Sequence, residues 1–222
     1  MEKRTKAVQL TKIWRSIQSF LLKQQRLFGR ISDSSVPLFW FELIANPGQI
    51  GACLPSSKTL SNTIAKQVNP NPQGFVLELG GGTGAVTHAL LKNGISPGKL
   101  IVIERSSAMV RYLRHQFPNV RIIQCNAQDA KTYLQEEWRH ISHVVSGLPI
   151  CSLPKPVVHE LIDSLSELVK NGAKYTHFTY KRKNHQMHQV NFMQREKKTY
   201  VLRNIPFAMV ETFSKVDRNY SA

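Results

Sequence analysis

The chain alternates between short apolar runs and amphipathic segments over most of its length. From residue 75 onward the apolar runs are short, and most are rich in Val, Ile and Leu, as expected of strands buried on both faces of a parallel sheet. The segments between them repeat apolar residues at three- and four-residue intervals, which is typical of helices. The pattern predicts strands at 75–79, 99–104, 120–124, 143–146 and 175–180, and a terminal pair at 199–202 and 208–212.

The same pattern predicts where the helices lie and where ligands bind. Helices are expected at 58–68, 84–93, 107–117, 127–138 and 157–169. Alternating strands and helices imply an α/β fold, a parallel sheet with helices on both faces. Ligands of such sheets bind at the carboxyl ends of the strands, near the point where the strand order reverses. The residues that end each strand are therefore the candidate site residues.

The first 35 residues have a different pattern. Apolar residues recur at helical spacing, and the opposite side of the helix is rich in Lys and Arg with almost no acid. This is the composition of a helix that lies in a membrane interface, although a helix packed on its own domain carries the same apolar stripe. We assign residues 1–35 to a basic amphipathic membrane-binding helix and residues 36–222 to the main domain. The aromatic segment 36–45 suits a core, a wall over a ligand or a second membrane contact equally well.

The net charge indicates the kind of partner. Lys and Arg number 30 against 14 Asp and Glu, so the formal net charge is +16 and the isoelectric point is near 10.0. This imbalance favours a polyanionic partner, either nucleic acid or an anionic membrane surface. Three scattered cysteines indicate a reducing compartment and no disulfide framework. No apolar stretch approaches the roughly 18 residues of a spanning helix, so we expect a cytoplasmic protein, on a membrane surface without crossing it.

The most specific motif follows the first strand of the sheet. Glu78 precedes glycines at positions 80, 82 and 84, which gives the pattern E-x-G-x-G-x-G. Glycine lets the backbone turn sharply and lets a ligand approach with no Cβ in the way. The spacing is not that of the dinucleotide fingerprint. It resembles the class I S-adenosylmethionine-dependent methyltransferases, which implies a Rossmann-like fold, S-adenosylmethionine as cofactor, and Glu78, Gly80, Gly82 and Gly84 as cofactor-binding residues.

The ends of the second and third strands supply further cofactor-binding candidates. Glu104 closes the second strand, where a carboxylate can accept both hydroxyls of a ribose. Arg105 follows it and is included in the predicted site. Asn126 and Ala127 close the third strand, where methyltransferases of this kind commonly place Asp to meet the adenine amino group. The amide oxygen of Asn126 could accept the same hydrogen bond.

The turn after the fourth strand bears on the methyl acceptor. In amino-methylating enzymes this turn lies beside the methyl group being transferred, so Ser146 is predicted on the cofactor side, and Gly147 and Leu148 at the transfer site. The rRNA adenine dimethylases carry Asn-Leu-Pro-Tyr there, with the Asn accepting from the target amine and the Tyr stacking on the flipped base. Gly147 and Ile150 stand in those two places. Both base-specific groups are missing, which argues against a nucleobase substrate.

Two runs resemble the bacterial phospholipid N-methyltransferases instead. They are residues 146–149 (Ser-Gly-Leu-Pro) and residues 178–180 (Phe-Thr-Tyr), and the basic first helix is similar in character. The resemblance covers about residues 36–182. It implies stepwise methylation of phosphatidylethanolamine, through its monomethyl and dimethyl forms, to phosphatidylcholine. The implied partners are the phospholipid and the anionic inner face of the cytoplasmic membrane, with no specific nucleic acid.

A methylated amine suggests an aromatic contact. As methyl groups accumulate, the head group becomes a cation without hydrogen-bond donors, and cation–π attraction to an aromatic face is worth roughly 0.5–2 kcal/mol. Tyr180 is the first candidate for this contact, an ordinary strand-end aromatic being the alternative, with Tyr175, Phe39 and Trp40 behind it. Residues 175 and 180 face opposite sides of an ideal strand, so both are not expected in one site. The pair of histidines at 185 and 188 has no carboxylate or cysteine arranged around it, and no metal site is predicted.

Two other functions stay open. An RNA adenine N6-methyltransferase would carry the same positive charge. A binding protein could keep the fold without turnover, although the intact glycine pattern and Glu104 argue against it.

Overall fold

The computed structural model describes residues 57–148, 150, 153–179, 193–202 and 207–216. The elements in these ranges are α1 (Lys58–Ala65), β1 (Phe75–Leu79), α2 (Ala85–Lys92), β2 (Leu100–Glu104), α3 (Ser107–Gln116), β3 (Arg121–Gln124), α4 (Ala130–Leu134), β4 (Ile141–Ser146), α5 (Lys155–Lys170), β5 (Lys174–Thr179), β6 (Met193–Val201) and β7 (Ala208–Lys215). Short 3-10 segments cover Pro97–Lys99, Ala127–Asp129 and Gln135–His140.

The strands form one seven-stranded sheet in the order β3-β2-β1-β4-β5-β7-β6. Strands β1 to β5 are parallel, and β7 runs antiparallel between β5 and β6. The strand order reverses between β1 and β4, where Leu79 pairs with Ser146 at the carboxyl ends. Ligands of open α/β sheets bind at such a reversal. The predicted Rossmann-like α/β fold is therefore confirmed, with a mixed rather than wholly parallel sheet.

Helices cover both faces of the sheet. The main core lies on the α5 face, where buried residues of the strands meet one side of that helix, among them Leu77, Val144, Phe213, Leu161 and Leu165. Because alternate residues of a strand face opposite ways, the remaining strand positions meet α1, α2 and α3 on the other face. Both faces of the sheet are buried, which explains why the sequences of the parallel strands are nearly continuous apolar runs.

Two predicted elements differ from the structure. The single helix expected at 127–138 is broken at Gln135, whose φ of 46° is left-handed and incompatible with a continuing helix. The break lets both Leu134 and Trp138 be buried, at 1% and 3% exposure. The terminal strands are longer than expected, because β6 is an exposed edge strand held by its ladder with β7 and has no buried face to set an apolar pattern.

The proposed boundary between a membrane-binding helix at 1–35 and the main domain falls outside the described residues. The aromatic segment 36–45 and the histidines at 185 and 188 also lie outside them. Among the helices that the structure describes, none has the length and apolar character needed to cross a bilayer.

Candidate active site

The glycine loop after β1 is held by main-chain hydrogen bonds to β2. The amides of Gly80 and Gly81 donate to the carbonyl oxygen of Ile103 at 2.8 and 3.2 Å. The amide of Gly84 donates to the carbonyl oxygen of Gly81 at 2.8 Å. Gly80, Gly82 and Gly84 have φ values of 81°, 50° and 75°. Residues with a Cβ rarely adopt these left-handed conformations. The three glycines are therefore required by the shape of the loop.

The three glycines have different surroundings. A Cβ at Gly84 would lie 2.5 Å from Cε2 of Phe117, and a Cβ at Gly80 would lie 2.9 Å from Cδ2 of Leu148. A Cβ at Gly82 would meet nothing within 4 Å. The outer two glycines thus allow close packing inside the protein, whereas Gly82 borders open space in which a ligand can approach the backbone.

Glu104 links this loop to the start of α3. Its Oε2 accepts from the amide of Gly82 at 2.9 Å, and its Oε1 accepts from the amide of Ser106 at 2.8 Å. A carboxylate has about four acceptor sites, so each oxygen can accept a second hydrogen bond. The carboxylate at the end of β2 thus has capacity to accept two ribose hydroxyls, and its contact with the cofactor stays a prediction. The neighbouring Arg105 is exposed.

The end of β3 presents an amide and a carboxylate. Nδ2 of Asn126 donates to Oδ2 of Asp129 at 2.9 Å. Only the NH₂ group of an amide can donate to a carboxylate, so this bond fixes the orientation of Asn126 and leaves Oδ1 as its acceptor end. Ala127 begins the short 3-10 segment between the two residues. Asp129 was not among the predicted site residues, although a carboxylate five residues after the end of β3 was a usable signal.

Glu78 is buried below the loop. It is 1% exposed, and its Oε2 accepts from the hydroxyl of Thr87 in α2 at 2.7 Å. Burial raises the pKa of this carboxyl to about 8, the Thr87 bond opposes the shift, and the charge of Glu104 adds to it. Within the described part of the chain, the buried Oε1 has no hydrogen-bond partner. Glu78 therefore joins β1 to α2 as a neutral acid near pH 7, and its contact with the cofactor stays a prediction.

The turn after β4 is packed directly against the glycine loop. The amide of Gly147 donates to the carbonyl oxygen of Leu79 at 2.8 Å, and a Cβ at Gly147 would lie 2.9 Å from the carbonyl oxygen of Gly80. Real Cβ atoms essentially never approach that closely. The amide of Leu148 donates to Oγ of the buried Ser146 at 3.3 Å. The local geometry therefore requires glycine at 147 and leaves no room for an Asn side chain.

Four aromatic residues were predicted as candidates to contact the methylated amine. The described part of the chain contains one of them, Tyr175. Tyr175 is fully buried in the core, and burial raises the pKa of its hydroxyl. It does not line the carboxyl edge of the sheet, because it lies near the amino end of β5, in register with Val144, and its side chain is enclosed in the core on the α5 face. Tyr180, Phe39 and Trp40 lie outside the described residues, so Tyr180 stays a prediction.

A buried polar cluster beside the β4 turn was not predicted from the sequence. His177 pairs in register with Ser146, is 1% exposed, and stacks on Phe213 with ring centroids 5.6 Å apart. Its Nε2 lies 3.8 Å from Oε2 of the fully buried Glu211, whose Oε1 accepts from Nη1 of Arg195 at 2.9 Å. The signal was a pair of polar residues inside apolar strands, and only the pairing of β5 with β7 brings them together.

Two sequence matches support a methyl-transfer function for this edge of the sheet. Residues 76–172 match a family model described as a methyltransferase domain. An ornithine lipid N-methyltransferase from Singulisphaera acidiphila is 27% identical over 146 residues, which cover 64% of this chain and 76% of that protein.

Two solved structures illustrate the shared fold. A SAM-dependent methyltransferase from Aquifex aeolicus matches with a TM-score of 0.56 and 16% identity, over 73% of this chain and 94% of that one. A 1,6-didemethyltoxoflavin-N1-methyltransferase from Burkholderia thailandensis, determined with S-adenosylhomocysteine bound, matches with a TM-score of 0.57 and 12% identity, over 93% of this chain and 90% of that one.

The residues present fit S-adenosylmethionine. Open space borders Gly82, the Glu104 carboxylate has acceptor capacity at the end of β2, and a polar pair stands at the end of β3. These are the groups needed for a backbone-cradled ligand with a ribose and an adenine. Together with the match of residues 76–172 to a methyltransferase domain, they support S-adenosylmethionine as the cofactor of this region and methyl transfer as its chemistry.

Proposed function

We propose that this protein methylates the primary amine of a membrane lipid at an anionic membrane surface. Phosphatidylethanolamine is the proposed first substrate, converted stepwise through its monomethyl and dimethyl forms towards phosphatidylcholine. The proposed location is the inner face of the cytoplasmic membrane. The lipid N-methyltransferase among the relatives supports an amine on a lipid as the acceptor, and the charge of +16 supports an anionic surface.

The observation that carries the proposal is the turn after β4. A nucleobase amine in the active site is recognised by hydrogen bonds to its edge and by stacking. At Gly147 the Cβ of any side chain would collide with the carbonyl oxygen of Gly80, and Ile150 is buried. The turn therefore offers the methyl acceptor only main-chain groups and the apolar, half-buried side chain of Leu148 among its described residues. These groups suit a small aliphatic amine better than a purine edge.

The chemistry required of the chain is modest. The bound cofactor supplies an electrophilic methyl group, and the attacking amine must reach it with its lone pair aligned. Gly147 and Leu148 have no side chain that accepts a proton, and Ser146 is 1% exposed with its Oγ occupied by the amide of Leu148. These three residues therefore do not serve as the base, and we assign the amine proton to water or to the lipid's own phosphate as part of the proposal.

Ornithine lipid is a second candidate substrate, because the relative from Singulisphaera acidiphila is named for it. Both lipids present a primary amine close to an anionic group, so the β4 turn does not distinguish them. The remaining alternative is an RNA adenine, for which the net charge is equally suitable.

The test is a labelling experiment with the purified full chain. Methyl-labelled S-adenosylmethionine is added to anionic phosphatidylglycerol vesicles that contain phosphatidylethanolamine, to matched vesicles that contain ornithine lipid, and to bulk RNA. The matched control protein is Glu104→Ala, which removes the carboxylate that bonds Gly82.

We expect label in phosphatidylethanolamine and its absence with Glu104→Ala. Label in ornithine lipid alone would keep lipid N-methylation and replace the substrate. Label in RNA would overturn the proposal and show that the missing Asn and Tyr had been misread. Label in none of the three, with cofactor bound, would favour a protein that keeps the fold without turnover.

A further inference from the structure

Three exposed hydrophobic side chains lie at one end of the β6–β7 hairpin. Tyr200, Leu202 and Phe207 are 56%, 70% and 66% exposed. The other large exposed hydrophobic residue in the described part of the chain is Tyr133, which stands apart in α4. Single exposed apolar side chains are ordinary, but a group of them at one place marks an interaction site. We name Tyr200, Leu202 and Phe207 the hairpin tip.

The topology places the hairpin tip on the same edge as the active site. Strand β7 runs antiparallel to β5, and β6 runs antiparallel to β7, so β6 points the same way as the parallel strands. The register aligns Ser146 of the acceptor turn with His177, then Glu211, then Lys198 of β6. Leu202 is four residues farther along, or about 13 Å at strand spacing. The hairpin tip therefore projects past the edge at which the β4 turn lies.

The strand that leads to the hairpin tip is basic. Arg195, Lys197 and Lys198 are exposed positions of β6. Arg195 pairs with Glu211, and the one carboxylate of this run, Glu196, pairs with Lys174 of β5. Nζ of Lys198 lies 5.1 Å from the ring centroid of Tyr200. Apolar and aromatic side chains next to cations are the combination found where proteins enter an anionic lipid interface. The aromatic ring also suits this place, because its apolar body and polar hydroxyl match the two sides of the interface.

A second copy of this chain is a poorer occupant of this surface. Edge strands pair with one another when they are flat and uncharged. Here Lys197 and Lys198 are adjacent on the edge strand, and its register with β7 shifts between Arg195 and Lys197. Two such edges would bring like charges together across an irregular ladder. An anionic surface complements the same charges.

We propose that the hairpin tip inserts into the interface of an anionic bilayer and holds the acceptor edge of the sheet against the lipid head groups. This inference rests on the proposed function and adds to it the surface that orients the enzyme. It is separate from the expected membrane helix at residues 1–35. A bilayer-bound substrate then reaches the β4 turn without leaving the membrane.

The first test compares variants of the full chain for binding to vesicles of phosphatidylglycerol and phosphatidylcholine, measured by sedimentation. The double variant Leu202→Ser/Phe207→Ser removes the two most exposed apolar groups, and Tyr133→Ser is the matched control. We expect binding to weaken about 10-fold or more in the double variant, because apolar burial in the interface is lost, and to change less than about 2-fold in the control. Equal binding by all three proteins would overturn the proposal.

A second variant guards against misfolding as the cause. Leu202→Trp/Phe207→Trp keeps the hairpin tip apolar, so binding should be at least as tight as in the unaltered protein. Its extra tryptophan emission should shift to shorter wavelength when vesicles are added. An unshifted emission, at vesicle concentrations that sediment the protein, would show that the hairpin tip stays in water and would contradict the insertion.

Methyl transfer separates this inference from the proposed function. With short-chain phosphatidylethanolamine below its micellar concentration, the serine double variant should match the unaltered protein, while transfer to vesicles should fall with binding. If the unaltered protein methylates neither form of the lipid but the binding difference remains, the proposed function fails and the hairpin tip stands. Equal transfer to vesicles by both proteins would show that the hairpin tip does not deliver substrate.

Discussion

The carboxyl edge of the sheet has two halves built from different interactions. In the cofactor half, at the ends of β1 to β3, the glycine loop and Glu104 are joined by directional hydrogen bonds, such as the 2.9 Å bond from the Gly82 amide. In the acceptor half, at the ends of β4 and β5 and in the β6–β7 hairpin, polar side chains such as Ser146 turn into the core. The exposed groups there include the apolar Leu202 and Phe207 beside the charged residues of β6.

The difference fits what each half is proposed to recognise. A nucleoside cofactor has polar groups at fixed positions, so its site needs donors and acceptors at fixed angles. A lipid at a membrane surface offers a small amine and a large apolar and anionic background, for which non-directional burial and charge are sufficient. On this view, cofactor recognition depends on directional hydrogen bonds to the main chain and to Glu104. Acceptor recognition depends on the positions of exposed apolar and basic side chains relative to the site.

The largest effect is expected from Glu104→Ala in the cofactor half. Two hydrogen bonds from ribose hydroxyls to a carboxylate would be lost, each worth about 1.5–3 kcal/mol, so the affinity for S-adenosylmethionine should fall at least about 100-fold. Isothermal titration calorimetry measures it. Glu136→Ala removes the same charge from a side chain that is 85% exposed and should leave the affinity unchanged. An equal loss in both variants would mean that net charge, not the contact, is responsible.

A pH effect of similar size is expected from Glu78. Its pKa is about 8 in the folded protein against an ordinary value of 4.5. The folded state therefore binds more protons between these values, and stability falls as pH rises through them. At about 1.4 kcal/mol per pKa unit, this group should cost roughly 2–3 kcal/mol between pH 5 and pH 7. Glu78→Gln mimics the neutral acid, so urea unfolding of the cofactor-free protein should show the variant gaining on the unaltered protein as pH increases. Parallel pH profiles would contradict the raised pKa.

An effect no larger, but selective, is expected from two alanine substitutions within the glycine loop. Gly84→Ala places a Cβ 2.5 Å from Phe117 in a left-handed conformation and should lower the free energy of unfolding by about 2–3 kcal/mol. Gly82→Ala meets no atom within 4 Å, so only the backbone strain of about 1 kcal/mol applies, while cofactor affinity should fall more strongly. Urea unfolding and calorimetry on both proteins measure the two quantities. Equal losses of affinity per unit of lost stability would mean that Gly82 does not border the cofactor.

The smallest effect is expected at the contact between the two halves. Gly147→Ala brings a Cβ to 2.9 Å from the carbonyl oxygen of Gly80, and overpacking of this kind costs about 1 kcal/mol or more in unfolding free energy. Gly98→Ala is the matched control, because a Cβ there meets nothing within 4 Å and the residue has no positive φ. If both substitutions have the same small effect, the turn is looser than the structure shows, and the geometric reason for the missing Asn fails.

The two halves also differ in how much of each could be predicted from the sequence. The positions of β1 and β2 and the role of the glycines follow from local signals, since a buried parallel strand is a continuous apolar run and left-handed backbone needs glycine. Glu104 follows because the end of the second strand has one possible location in this fold. None of these inferences requires knowledge of which distant residues touch.

The acceptor half could not be predicted in the same way. The sequence shows that Gly147 replaces an Asn, but only the pairing of β1 with β4 shows that the carbonyl oxygen of Gly80 occupies the space of a Cβ. The sequence also shows a charged segment at 193–198, but not that it becomes an edge strand. That outcome is decided by its ladder with β7.

The sequence by itself therefore determined the α/β fold and the order of the strands along the chain, because these depend on periodicity, and it indicated the cofactor through the resemblance of its glycine pattern to a known family. Tertiary structure alone decided that Glu78 is a buried neutral acid, that His177 meets Glu211, and that Leu202 and Phe207 stand exposed beyond the active-site edge. Each of these depends on strand register, which brings residues distant in sequence into contact and sets which side chains lose water.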